Sequence, residues 1–208
     1  MMIDKVLLRQ EEINDYLENE NLTREAFWNV YKPGCDEHFV FNKLRQRESF
    51  IKELTYVAVF ENRIIGNIVY SHMFKEGKEC KDIICFGPIS VLPEFQKKGI
   101  GSLLINTTVN KAINLGYKAI MITGNKKYYQ RFGFNRAFDY DIHLEGNKID
   151  DKAEYFMVKE LEEGFLKKHP GIYNFDDIFF NYPKNEFEEY DKKFPKKIKR
   201  EKRETDIH

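Results

Sequence analysis

The strongest constraint in this chain lies at residues 83–123. Ile83–Val91 is apolar almost throughout, the pattern of a strand covered on both faces. Ile100–Leu115 repeats apolar residues at three-to-four spacing through Leu104, Ile105, Val109, Ala112 and Ile113, and Gly116 stops it. Lys118–Thr123 (KAIMIT) is a second buried strand. Two buried strands joined by one helix form a parallel crossover unit. Upstream, Thr55–Phe60 and Arg63–Phe74 alternate as strands around a Glu61-Asn62 turn, which predicts an antiparallel hairpin. A hairpin feeding a parallel unit makes an α/β protein with a mixed sheet.

The remaining elements are predicted more coarsely. Residues 3–8 form a short strand. Residues 10–19 and 23–31 form two helices, the second capped by Thr23 and ended by Lys32-Pro33-Gly34. Residues 36–47 form another helix, Tyr128–Arg131 a short one, and Ala153–Val158 a late strand. A hydrophobic content of 42% supports a sizeable core and excludes a wholly disordered chain. Lys+Arg and Asp+Glu both number 34, which argues against a globally basic nucleic-acid binder. No window approaches the roughly 18 apolar residues of a membrane span. The opening MMIDKVLLRQEE is too charged for a signal peptide. Three cysteines, Cys35, Cys80 and Cys85, are then expected as reduced thiols in a cytoplasmic protein.

The chemistry concentrates in Gln96-Lys97-Lys98-Gly99-Ile100-Gly101-Ser102, between a buried strand and the best helix. Glycines at 99 and 101 permit positive φ and close backbone approach. The first helical turn offers unpaired N–H groups and the positive end of the dipole, an anion site suited to phosphates. Lys97 and Lys98 add charge. A bare helix entry with two solvated lysines is the plainer alternative. A Walker loop needs G-x-x-x-x-G-K-[ST], which is absent. A dinucleotide fingerprint needs a third glycine where this chain has Leu104.

The remaining pattern, Q-x-x-G-x-G after a strand, resembles the acyl-CoA pyrophosphate loop of the GNAT (Gcn5-related) N-acetyltransferases. Ile89–Gln96 looks like that family's fourth strand entering its loop, and Tyr128-Tyr129-Gln130-Arg131-Phe132-Gly133-Phe134 looks like its tyrosine signature. GNKKYYQRFGF is similar to the bacterial YhbS-like branch, with Asn125-Lys126 where that branch usually has Asp-Pro. The resemblance implies a GNAT-like mixed sheet with a splayed parallel strand pair and helices on both faces. It covers roughly residues 3–160, and the shift in composition near residue 160 places the domain at residues 1–162, followed by a 163–208 extension.

It also implies acetyl-CoA as acyl donor, passing its acetyl group to a primary amine by direct attack in a ternary complex. Gly87-Pro88 belongs at a bulge or an unpaired edge, and a strand bulged there would splay from 118–123. The family's V-shaped gap admits the pantetheine arm, which would pair with Ile89 and Val91 beside Ser90. Residues 96–102 would take the pyrophosphate, and Asn125 would bond the arm or merely cap the helix. Tyr129, four before the glycine, would protonate the leaving thiolate, and Tyr128 would point about 100° away. Glu37 and His38 are the acceptor-side candidates for accepting the amine's proton. His72 and Ser90 are weaker candidates. Cys35 and His38 have metal-like spacing but lack two further ligands, so no metal is expected. Cys80 and Cys85 are expected to flank a turn.

Beyond residue 162 aromatics and charge dominate. Eight aromatic residues between Tyr173 and Phe194 call for burial against the domain or a second copy, so a homodimer is open. Residues 192–203 then carry eight positive charges against one negative. Two competing readings remain: a non-catalytic acyl-CoA-binding or regulatory module, and an RNA-associated protein acting through KKIKREKR. The expected partner is a small-molecule or peptide amine, with nucleic acid disfavoured.

Overall fold

The computed structural model describes residues 2–206; Met1, Ile207 and His208, at the outer ends of the two expected segments, lie outside the described residues. Nine strands share one sheet: β1 (Leu7–Gln10), β2 (Tyr56–Phe60), β3 (Arg63–Lys75), β4 (Lys78–Val91), β5 (Ala119–Thr123), β6 (Asn135–Arg136), β7 (Ile142–Leu144), β8 (Phe156–Glu160) and β9 (Gly171–Asn174). Five helices are α1 (Tyr16–Phe27), α2 (Glu37–Leu44), α3 (Ile100–Asn114), α4 (Lys126–Tyr129) and α5 (Lys184–Asp191). The main strand order is β1-β2-β3-β4-β5-β8-β6, with β9 bridging β3 and β7. The β4–β5 pair is parallel, as the crossover requires, and its neighbours β3–β4 and β5–β8 are antiparallel.

Two corrections concern the N-terminal half. The helices expected at 10–19 and 23–31 are one helix, α1, after a 3-10 turn at Ile13–Asp15. Thr23 does not cap it: the side chain is buried inside the helix, with Oγ1 donating to Asn19 O at 3.0 Å. A hydroxyl that finds an i−4 carbonyl and a buried partner no longer competes with the helix. Further on, β4 starts at Lys78 instead of Ile83. The turn joining it to β3 is Glu76-Gly77, with φ of 52° and 72°. Two consecutive left-handed residues make the tight hairpin turn that matches strand twist. Cys80 and Cys85 therefore both sit on β4, and do not flank a turn.

The β3 side chains sort the layers. Gly66 and Tyr70 face α3: a Cβ on Gly66 would lie 3.1 Å from Ile100, and Tyr70 Oη lies 2.9 Å from Thr108 Oγ1. Asn67 and Val69 face the other way, onto α1 and α2. Helices thus cover both faces. The main core joins α3 (Ile100, Leu104, Ile105, Val109, Ala112) to buried Val57, Ile68, Ile84 and Ile120. Residues 163–208 add β9 to the same sheet and set Phe165, Leu166 and Tyr173 into a second apolar cluster. No described helix is long and apolar enough to cross a membrane.

Candidate active site

One irregularity in β4 builds the site. The β3–β4 register shifts between Ile68↔Ile89 and Tyr70↔Phe86, so Gly87-Pro88 is the bulged pair. Two consequences follow. First, side-chain alternation flips across the bulge, because an extra residue exchanges the two faces. Ile84 and Phe86 belong to the α3-side core, and so do Ile89 and Val91, although they differ in parity. Second, β4 leaves β5. Their pairs run Ile83↔Ala119, Ile84↔Ile120 and Cys85↔Met121 and stop there, while β5 stays paired to β8 through Thr123. Beyond Cys85 the parallel strands therefore open into a gap.

The backbone of β4 in that gap is oriented by its pairing with β3. Leu92 N donates to Ile65 O at 3.0 Å, and Asn67 opposes Ser90. Alternation then aims the peptide groups of Ser90 at β3 and those of Ile89 and Val91 into the gap. Gln96 Nε2 donates to Val91 O at 3.1 Å, which ties the loop to the strand end. Ser90 points its side chain away from the gap: its hydroxyl is buried and donates to Thr23 Oγ1 at 3.3 Å.

The gap ends at the first turn of α3. Gly99 is left-handed at φ 89° and serves as N-cap with no side-chain cap, and Lys97 is left-handed at φ 60°. Leu103 N takes the first helical bond, to Gly99 O, so the amides of Ile100, Gly101 and Ser102 have no intrahelical acceptor. Lys97 and Lys98 are exposed beside them. This is a concave backbone donor set with positive charge, the arrangement that holds phosphate.

Across the gap lies α4. Asn125 is its N-cap, with Oδ1 accepting from Tyr128 N at 3.2 Å, so the turn closes without the proline of the YhbS-like pattern. Tyr128 and Tyr129 meet edge to face, 5.0 Å between ring centres. They diverge as expected for neighbours on a helix. Tyr128 reaches the α3 turn: a Cβ on Gly101 would sit 2.9 Å from its hydroxyl. Tyr129 packs on Phe86, Phe134 and Gly124. Burial, then Tyr128 and Tyr31, push its phenol pKa upward, so it keeps its proton at neutral pH. Lys159 Nζ donates to Phe132 O at 2.7 Å and pins the end of this segment.

Glu37 and His38 part company. Glu37 opens α2 half-buried, and its carboxylate accepts from Asp36 N at 3.1 Å. Burial first, then Asp36, push it up to about 7. Burial first, then Glu37, push the Tyr31 phenol pKa upward. His38 turns into the C-terminal segment. Fully buried, it lies 3.0 Å from Asp191 Oδ1 through Nε2 and packs among Phe187, Tyr190 and Phe194. Burial holds it down at about 4. His72 pairs with Glu79 on the β3–β4 hairpin at 2.5 Å, apart from the gap. The described residues hold no cluster of three metal-binding side chains.

Sequence reasoning missed the buried polar ladder behind Ser90. There Asn67 Nδ2 bonds Thr23 Oγ1 at 2.8 Å and Asn19 Oδ1 at 2.5 Å, and Asn19 bonds Glu11 at 2.6 Å. Arg45 then joins Glu11 and Glu20 in a buried ion network. Asn19, Thr23, Asn67 and Ser90 span 71 positions, and no spacing rule links them.

Residues 52–136 match the family described as acetyltransferase (GNAT) domain. That stretch of the chain is similar to a GNAT acetyltransferase domain. Among curated proteins the chain is similar to the uncharacterized N-acetyltransferase YjhQ of Escherichia coli, 28% identical over 92 residues, 44% of this chain and 51% of YjhQ. It thus spans about half the length of that relative. It is also similar to the uncharacterized N-acetyltransferase YhbS of E. coli, 22% identical over 57% of this chain and 69% of YhbS. The structure of E. coli YhbS in complex with CoA aligns with TM-score 0.75 at 20% identity, covering 86% of this chain and 94% of that one. At that identity the likeness is one of fold. A GNAT family acetyltransferase from Brucella melitensis in complex with acetyl-CoA aligns with TM-score 0.69 at 25% identity, covering 84% and 97%.

Proposed function

We propose that this chain is an N-acetyltransferase that moves the acetyl group of acetyl-CoA to a primary amine on a small molecule or peptide, by direct attack in a ternary complex. The observation that carries the reading is the gap between β4 and β5, closed at one end by the free amides of the α3 turn and flanked by Tyr128 and Tyr129. The residues fit the donor. The peptide groups of Ile89 and Val91 suit pairing with the two amides of the pantetheine arm, as an added strand would. Ser90 contributes backbone spacing between them. The amides of Ile100, Gly101 and Ser102, after Gly99, suit the pyrophosphate, with Lys97 and Lys98 adding charge and Gln96 holding the loop to Val91 O. Asn125 fixes the start of α4 and so the directions of both tyrosines.

The chemistry needs an acid and a base. The amine nitrogen attacks the thioester carbonyl carbon, a C–N bond forms, and the C–S bond breaks. Tyr129 gives its phenolic proton to the departing CoA sulfur. The proton lost by the amine passes to Glu37, directly or through water. A carboxyl held near 7 is half ionised at neutral pH, the condition for an effective base. His38, buried against Asp191, has no part in this scheme. The test is calorimetry with acetyl-CoA, followed by thiol release over a panel of amines and peptides. Micromolar acetyl-CoA binding and amine-dependent thiol release are expected. Absence of binding near millimolar acetyl-CoA overturns the reading. Binding without thiol release leaves only a CoA-binding module.

A further inference from the structure

The family match ends at residue 136, yet the segment after α5 runs back to the α1–α2 loop and grips it. The grip centres on Asn29, left-handed at φ 61°. Within the loop, Asn29 N donates to Gly34 O at 3.0 Å, and Asn29 Oδ1 accepts from Gly34 N at 2.8 Å. These two bonds close residues 29–34 into a ring with Tyr31 at its exposed tip. The C-terminal segment supplies the rest. Arg200 N donates to Asn29 Oδ1 at 3.1 Å and Arg200 Nε to Asn29 O at 2.8 Å, while Asn29 Nδ2 and Trp28 Nε1 both donate to Ile198 O. Arg203 Nη2 reaches Val30 O at 3.0 Å.

Lys197 pairs with Glu25, Arg200 with Asn29 and Asp206, and Arg203 with Val30 and Asp206. Lys196, Lys199, Lys202 and Arg203 are exposed, with the Lys199 stem lying along Gly34. Buried Asp206 holds Arg200 in a bidentate pair, so this guanidinium is fixed before it meets the loop. Upstream anchors are Arg24 to Asp191 and Pro195 O, and Tyr182 to Asp36.

We infer that residues 195–206 are a positioning segment that sets the acceptor loop 29–34, with Arg200 as its principal residue. This rests on the proposed function, in which Glu37 takes the amine's proton: the loop leads directly into α2, which Glu37 opens. The loop carries one aromatic and a proline on a six-residue ring, and four of its hydrogen bonds go to this segment, with a fifth from the adjoining Trp28. Without them the loop keeps its own closure, the Val30 N bond to Phe27 O and the Lys32–Asp36 pair, and the acceptor would have to complete its ordering on binding. Acceptor affinity should therefore depend on a segment that never touches the CoA gap.

The experiment compares the full-length chain with Arg200→Ala, Asp206→Asn and the control Lys202→Ala. Three readouts are taken: acceptor KM, acetyl-CoA affinity, and acrylamide quenching of Trp28, the single tryptophan. Arg200→Ala should raise acceptor KM at least fivefold, leave acetyl-CoA affinity within twofold, and raise Trp28 quenching about twofold. Asp206→Asn should move the same way by less, and Lys202→Ala should move nothing. Asp206→Asn keeps the test open if Arg200→Ala does not fold. Unchanged acceptor KM in a folded variant overturns the inference. So does a parallel fall in acetyl-CoA affinity, or a KM rise without added quenching. Failure of the proposed function looks different: the wild-type chain would release no thiol with any amine, and the inference would fall with it.

Discussion

Gly101 is where the fold and the proposed chemistry can be separated by one methyl group. A Cβ there would lie 2.9 Å from Tyr128 Oη and 4.0 Å from both Ile89 Cδ1 and Val91 Cγ2. It would occupy the floor of the gap, where the amides of the first α3 turn are accessible. Two effects oppose each other in Gly101→Ala. Helix propensity favours alanine by roughly 0.5–1 kcal/mol. The contact with the phenol, about half an ångström too short, cancels this unless Tyr128 swings aside. Wild-type stability should therefore hardly change. Binding has no such compensation. Two charge-assisted hydrogen bonds to pyrophosphate, at about 1.5–3 kcal/mol each, translate to roughly a hundredfold weaker acetyl-CoA at the least. Calorimetry and thermal unfolding on a double-mutant cycle with Tyr128→Phe distinguish the two. Removing the hydroxyl should let Gly101→Ala stabilise the fold by up to about 1 kcal/mol while acetyl-CoA affinity stays low. Normal affinity in folded Gly101→Ala refutes the loop assignment. Affinity restored in the double variant would mean that displaced Tyr128, not blocked backbone, was the cause.

Three further outcomes are expected. Tyr129→Phe should lower turnover about a hundredfold, the lower range for general acid catalysis, with acetyl-CoA affinity changed less than about tenfold, while Tyr128→Phe stays near wild type; stopped-flow thiol detection checks this, and the reverse ranking assigns the acid to Tyr128. Activity should rise as pH increases through about 7, because the ionised form of Glu37 is the base and its pKa is raised to about 7; a pH–kcat/KM profile of Glu37→Gln should lose that limb. Buried His38 keeps its pKa near 4, below the ordinary 6.5, so the unfolded chain takes the proton first as pH falls and stability is lost between 6.5 and 4. His38→Gln removes that loss, so urea unfolding at pH 5 relative to pH 7 should favour the variant by about 2 kcal/mol more than wild type.

Local signals were enough for most of the elements that make the site. The helix period at Ile100–Leu115, the two buried strands and the glycines at 99 and 101 placed the parallel unit and its loop, because each depends on neighbours in the chain. Gly87-Pro88 likewise announced an interrupted strand, since proline cannot donate to a ladder. Other features had no such local basis. Thr23 carried a cap signal that burial against Asn67 overrode. Glu37 and His38 are adjacent in sequence, and the helix leaves one half-buried beside Asp36 N and turns the other into Asp191 and the aromatic cluster. The direction of the β4 peptides depends on pairing with β3 and on where the bulge reverses alternation. The basic run at 196–203, read by composition alone as a charged tail, sends two of its six positive side chains, Arg200 and Arg203, to a loop more than 160 residues away in sequence. Periodicity and turn chemistry are properties of short segments and can be read directly from them. Which neutral or charged group is desolvated, and by whom, is decided only when distant segments pack together, because burial and partner choice are set by contacts that no spacing in the chain encodes.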